Sequence, residues 1–152
     1  MDPIKVFELQ SLTKAANEKK KTEGIESSIP YLAKIVQVLD TQVSQRHLDK
    51  NTITPAIQAV GHMVIDARKD FADALFAAHR YTECEVQMGL ICKSLERYIT
   101  REDITDAIRG DLESKLLACY RRWADCYENL GNSHLASKIR QRMQKFEGQT
   151  VT

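Results

Sequence analysis

The stretch from Leu112 to Phe146, LESKLLACYRRWADCYENLGNSHLASKIRQRMQKF, most narrows what this chain can become. Leu116, Tyr120, Trp123, Tyr127 and Leu130 follow one another at steps of 4, 3, 4 and 3. That spacing lays all five on one face of a helix, and three of them are large rings. Gly131 is a natural stop, and Asn132 and Ser133 offer caps for a second amphipathic segment carrying Leu135, Ile139, Met143 and Phe146. A helix, a tight turn and a returning helix cannot bury such a face alone. More helices must stack on it.

The rest of the chain supplies them. Three prolines and six glycines in 152 residues, with abundant helix formers, favour long helices over a sheet. Pro3 suits a first helical position, and Ile4, Phe7, Leu9, Leu12 and Ala16 form a loose apolar stripe ending in Lys19-Lys20-Lys21 and Gly24. Ser27 or Ser28 is predicted to cap a second helix with Pro30 in its first turn and Leu32, Ile35, Val36, Leu39 and Val43 on its face, running to Arg46. The polar run Leu48 to Thr52 reads as a connection. Thr54-Pro55 starts a third helix whose face holds Ile57, Val60, Val64, Ala67, Phe71, Ala74, Leu75 and Ala78. One continuous helix over 55–80 is the simpler reading, with a turn at Arg68-Lys69-Asp70 as the alternative.

Thr82 is predicted to cap a fourth helix with Val86, Met88, Ile91, Leu95 and Ile99 inside. Thr100 to Asp103 resembles a capping box opening a fifth, which carries Ile104, Ile108, Leu112 and Leu116 into the aromatic face. Gly110 weakens that helix or breaks it. The sum is an all-α chain of five to seven antiparallel helices, as helical hairpins or a bundle. A single domain over 1–147 and a frayed tail over 148–152 are expected.

Tyr120, Ala124, Tyr127, Leu130-Gly131 and Ala136 occupy positions that resemble a tetratricopeptide repeat (TPR). The likeness implies TPR-like hairpins in which small residues let helices cross closely, rings fill the groove and glycine takes the turn. Arg140 and Ser133 depart from the pattern, no proline closes the unit, and no period of about 34 residues recurs. Residues 48–99, with Lys50, Ile53-Thr54-Pro55, Lys69-Asp70-Phe71 and Ala74-Leu75, are also similar to the helical domain that steroid receptor RNA activator protein shares with the C-terminal region of the COPII outer coat. That second likeness implies a coat or RNA-linked scaffold.

Several chemistries find no foothold. No apolar run approaches the roughly 20 residues that span a bilayer, and the start MDPIKVFELQ lacks a signal peptide's apolar stretch, so no membrane insertion and a cytoplasmic or nuclear setting are expected. Cys84 and Cys92 lie eight apart and Cys119 and Cys126 seven apart, which sets thiols on helical faces as small core residues rather than in the CxxC spacing of a metal site. His47, His62, His79 and His134 are scattered; His79 could approach Cys84, but nothing orients them as base and nucleophile. Glu102-Asp103 and Glu83 with Glu85 suit helix N-termini, where acids complement the dipole. Gly61, Gly89, Gly110 and Gly131 are isolated and form no phosphate loop. No metal, no cofactor and no enzyme activity are expected.

The formal net charge of +1 argues against a strongly nucleic-acid-bound surface but not against a local patch. Arg121, Arg122, Lys138, Arg140, Arg142 and Lys145 gather near the C-terminus, and Arg97 and Arg101 can join them. They form either a solvated face or a patch for an acidic peptide or nucleic acid. Tyr31, Phe76, Tyr81 and Tyr98 are the rings to inspect beside any concave surface. The expectation is a non-enzymatic α-helical interaction module, an adaptor or scaffold that binds a partner helix or peptide or forms a homo-oligomer. Its candidate contacts are Arg121, Arg122, Lys138, Arg140, Arg142, Tyr81 and Tyr98. Two alternatives stand beside it: an RNA- or DNA-associated protein using the basic cluster, and a small helical enzyme or cofactor binder with a pocket holding His79 or His62.

Overall fold

The computed structural model describes residues 2–46 and 55–150. Among them are six helices and no strand: α1 (Pro3–Glu23), α2 (Ile25–Arg46), α3 (Pro55–Ala77), α4 (Tyr81–Ile99), α5 (Asp106–Asn129) and α6 (Ser133–Thr150). The all-α architecture expected from periodicity is what the chain adopts. The predicted connection over 48–52, the Thr54 cap and His47 lie outside the described residues. The helices group into two compact units, Met1–His79 and Arg80–Thr152. Periodicity marks no boundary between them, because the chain turns there without glycine or proline. His79 itself takes the left-handed conformation, φ 60°, and its N–H donates to the Phe76 carbonyl at 3.0 Å.

In the first unit α1 packs along α2 and α2 along α3. Asp2 caps α1, its Oδ1 accepting from the Ile4 N–H at 2.9 Å, with Pro3 in the first turn as the sequence predicts. Gly24, at φ 97°, reverses the chain in one residue, so α2 begins at once with Ile25. This corrects the predicted start at Ser27 or Ser28. Both serines lie inside the helix and bond backwards, Ser27 Oγ to the Glu23 carbonyl at 3.3 Å and Ser28 Oγ to the Ile25 carbonyl at 2.5 Å. Pro30 is therefore interior, on the exposed side of α2. α3 runs unbroken through Arg68-Lys69-Asp70, as the one-helix reading expects.

Leu9, Ile35, Val38, Leu39 and Val64 form the centre of this unit's core, with Leu12, Leu32, Val43 and Ala67 packed around it. An Arg68–Asp40 ion pair joins α3 to α2. The apolar stripe of α1 is buried only at Leu9 and Ala16, while Ile4 and Phe7 stand 74% and 71% exposed. The first turns of α1 thus carry apolar side chains that their own unit does not cover.

In the second unit α5 is central, with α4 and α6 packed on it. α4 starts at Tyr81 with Arg80 at its N-cap, two residues before the predicted Thr82 cap, and Arg80 pairs with Glu83 at 2.7 Å. The predicted capping box at Thr100 is likewise displaced. Thr100 ends α4, and Thr105 caps α5 by accepting from the Ile108 N–H at 3.2 Å. Asp103 is engaged by Arg101 at 2.6 Å, and Arg109 reaches back to the Ile99 and Arg101 carbonyls at 3.2 and 2.8 Å, holding the intervening residues as a turn. In consequence Ile108 is 47% exposed, and burial along α5 begins at Leu112.

The α5–α6 turn follows the sequence closely. Gly131 sits at φ 75°, its N–H donates to the Glu128 carbonyl at 3.0 Å, and the Asn132 N–H donates to the Tyr127 carbonyl at 2.8 Å. Asn132 then caps α6, its Oδ1 accepting from the Leu135 N–H at 3.2 Å. α6 continues through Gly148 to Thr150, where the sequence predicts a frayed tail. Two glycines of this unit make a paired prediction. A Cβ at Gly110 meets nothing within 4 Å in a right-handed helix, so Gly110→Ala should stabilise by about 0.5–1 kcal/mol. Gly131→Ala has equal space but the wrong sign of φ and should cost about 1–2 kcal/mol. Urea unfolding midpoints of the two variants should move in opposite directions.

Candidate functional site

In the second unit the large rings face inward and their polar ends meet two carboxylates of α4. Trp123 Nε1 donates to Glu85 Oε1 at 3.2 Å, and the Tyr127 hydroxyl donates to the same oxygen at 2.5 Å. Three turns further along α4, Glu96 accepts from the Tyr120 hydroxyl at 2.5 Å and from Arg142 of α6 at 2.6 Å. Arg142 also lies over the Tyr120 ring, 5.9 Å from its centroid. Glu85 therefore does more than complement a helix N-terminus. It satisfies two donors that the fold would otherwise bury. Glu85 and Glu96 are eleven residues apart, in phase with the Cys84, Cys92 and Leu95 face, and that spacing is the sequence signal that they point inward.

This arrangement makes stability depend on alkaline pH. Desolvation, then the hydrogen bond to Glu85, pushes the Tyr127 phenol up to about 12 from its ordinary 10.0. Tyr120 is raised in the same direction by burial and Glu96. Above pH 10 the unfolded chain loses these protons while the folded chain keeps them, so stability present below pH 10 should fall as pH rises through about 12. Urea titrations at stepped pH test this. A flat profile would remove the carboxylate-bonded phenols.

The four thiols are buried, as core residues should be. The Cys84 thiol donates to Cys126, holding the latter's thiol below its usual range, while burial, with Cys119 beside it, raises Cys92. Among the described residues no group of three or more His, Cys, Asp or Glu is arranged to hold a metal ion. No helix among them is long and apolar enough to cross a membrane.

The predicted contact residues are dispersed. Arg140 pairs with Glu128 at 2.6 Å, and Arg142 is held by Glu96. Arg121 and Lys138 are exposed, and Arg122 is half-buried. Tyr81 and Tyr98, both half-buried, stand near opposite ends of α4, roughly 25 Å apart at the rise of a helix. The structure does not bring these two rings together.

A concave feature lies instead in the first unit, whereas every predicted contact residue belongs to the second. α1 and α3 both rest on α2, and a groove runs between them. Val6, Leu9 and Thr13 line it on α1, with Met63 across from them on α3. Leu32, Ile35 and Leu39 of α2 form its floor further along, where it encloses about 510 Å³ between Asn17 and Lys20 on one side and Asp66, Ala67, Asp70 and Asp73 on the other. From Val6 to Lys21 the α1 wall extends roughly 22 Å at the rise of a helix. Partial desolvation raises the Asp70 carboxyl, as do the neighbouring charges of Asp73 and Asp66, while Lys69 and Lys20 act the other way. Asp66, Asp70 and Asp73 fall at steps of 4 and 3, the spacing of one helical stripe. That stripe is the signal the sequence offers for this site.

No protein-family model matches the chain, and neither a curated protein nor a solved structure shows significant similarity to it. The fold itself defines the class: an all-α protein whose described residues form two three-helix units, one of which carries an open groove.

Proposed function

We propose that this chain is a non-enzymatic α-helical interaction module, an adaptor or scaffold with TPR-like hairpins, that receives a helix of another protein between α1 and α3. The observation that carries the reading is the groove itself. Three helices in which the outer two stand over the middle one leave an open channel with an apolar floor, and an amphipathic helix buries such a floor in water. Exposed Met63 and Val6 at its rim, and Ile4 and Phe7 nearby in the sequence of α1, extend the apolar surface on offer. The tight Gly131 turn with buried Ala124 and Ala136 in its hairpin supports the TPR-like description. Buried unoxidised thiols suit a reducing compartment, cytoplasm or nucleus.

The test is an affinity capture from native lysate with the parent chain and Met63→Glu, each with and without nuclease. A defined protein retained after nuclease and lost with Met63→Glu supports the reading, because that substitution puts a charge at an already exposed rim position. Loss of all bound material on nuclease treatment, with RNA or DNA recovered, overturns it in favour of the basic residues of α5 and α6.

A further inference from the structure

We propose that Cys84 and Cys126 are a redox pair: a small peroxide closes them into a disulfide that clamps α4 to α5 and stabilises the second unit. The proposal is independent of the groove and stands on how these two helices face each other. Cys84, Met88 and Ile91 of α4 and Cys119, Trp123 and Cys126 of α5 are buried at helical steps of 4 and 3. Two contacts fix the register between them. Glu85 accepts from the Tyr127 hydroxyl, and Gly89 lies against Trp123. Cys84 is the neighbour of Glu85 and Cys126 the neighbour of Tyr127, so the two cysteines share a layer of the core. The Cys84 thiol donates to Cys126 across that layer. A disulfide needs two side chains that converge across a short gap, and this layer supplies them.

Place in the helix separates this pair from the other two thiols. Cys84 is in the first turn of α4, its N–H donating to the Arg80 carbonyl at 3.0 Å. Cys126 is in the last turn of α5, its carbonyl accepting from the Leu130 N–H at 3.0 Å. Helix ends open locally at lower cost than helix middles, where Cys92 and Cys119 lie. Sulfurs reached only through such openings admit a small neutral oxidant and exclude bulky ones. The Cys84 hydrogen bond, with Arg122 nearby, favours the Cys126 thiolate against desolvation and the charges of Glu85 and Asp125, whereas burial raises Cys92. The Cys126 thiolate attacks one peroxide oxygen, the O–O bond breaks and hydroxide leaves, giving a sulfenic acid. The Cys84 sulfur then attacks the Cys126 sulfur, the S–S bond forms and the S–O bond breaks as a second hydroxide leaves. The two thiol protons turn both hydroxides into water, so two thiols and one peroxide become one disulfide and two waters.

The experiment treats the folded full chain with a graded series of hydrogen peroxide, blocks remaining thiols by alkylation in denaturant, and maps peptides without reductant. Met63, which is exposed, reports through its sulfoxide that peroxide has acted. The expected product is a peptide pair joined through Cys84 and Cys126, lighter by two hydrogens than the free thiols and reopened by phosphine. Cys92 and Cys119 should remain alkylated. The urea midpoint of the oxidised chain should rise by roughly 1 M and fall back on reduction, because the bond constrains a long loop of the unfolded chain. Cys84→Ala and Cys126→Ala should each abolish both the linkage and the rise. If neither variant folds, the peptide map and the midpoint of the parent chain decide the matter. Free thiols at a dose that has already converted Met63 overturn the proposal, as does linkage formed only in denaturant. A Cys92–Cys119 bond in place of the expected one overturns the choice of pair. A Cys84–Cys126 bond that lowers the urea midpoint overturns the clamp.

Discussion

Trp123→Ala should lower the free energy of unfolding by about 3–5 kcal/mol, the largest single-site loss expected in this chain. The indole is 8% exposed and is held on three sides. Its Nε1 is bonded to Glu85, the Tyr127 ring centroid lies 6.3 Å away, and Gly89 of α4 passes beneath it. A Cβ built at Gly89 would stand 3.2 Å from Trp123 Cζ2, so glycine at that position is what lets the ring lie against the α4 backbone. Truncation removes the ring, leaves a cavity between two helices and takes one donor from Glu85. Chemical unfolding of the variant checks the size of the loss. If stability barely moves while partner binding disappears, Trp123 is an interface anchor and its assignment to the core fails.

Glu85→Ala should cost about 2–4 kcal/mol, because it strips the acceptor from the Trp123 N–H and the Tyr127 O–H together. The penalty is the desolvation of donors left without partners, which exceeds the net worth of the bonds themselves. Glu85→Gln keeps the shape and one acceptor oxygen and should lose less. Combining Glu85→Ala with Trp123→Ala should fall short of the sum of the two, since both break the same contact. Strict additivity in a double-mutant cycle would mean that the carboxylate and the indole are not coupled. The alkaline fall in stability should also weaken in Glu85→Ala, as the Tyr127 phenol loses one of the causes that raise it.

The C-terminal hairpin is the most legible part of the chain. Its five-residue face from Leu116 to Leu130 and the Gly131 turn demand a helix that stops and returns, and Asn132 serves as cap. Only Leu130 leaves the face, 43% exposed where the helix is already ending. Helix starts are less legible, because hydroxyl residues crowd the links and only one of each group can cap. Thr105 prevails over Thr100 once Arg101 holds Asp103 and Arg109 ties down the turn. Gly24 makes Ser27 and Ser28 unnecessary as caps by turning the chain in a single residue.

The candidate site is the least legible part. Basic residues near the C-terminus stand out by composition, yet two of them are engaged within their own unit: Arg140 on Glu128 and Arg142 on Glu96. Those partners are twelve and forty-six residues distant, and no local spacing encodes such pairings. The acidic stripe of α3 is visible as spacing, but its meaning requires knowing that α1 lies opposite.

What the sequence determined by itself is the class of fold: helix formers, apolar positions at helical steps and glycine at turns leave an all-α chain as the consistent outcome. Periodicity states which residues share a face of one helix. Which faces meet is settled by packing between helices far apart in the chain, and that decided the rest. It put Glu85 under Trp123, closed Arg142 onto Tyr120, and held α1 and α3 over α2 with a groove between them.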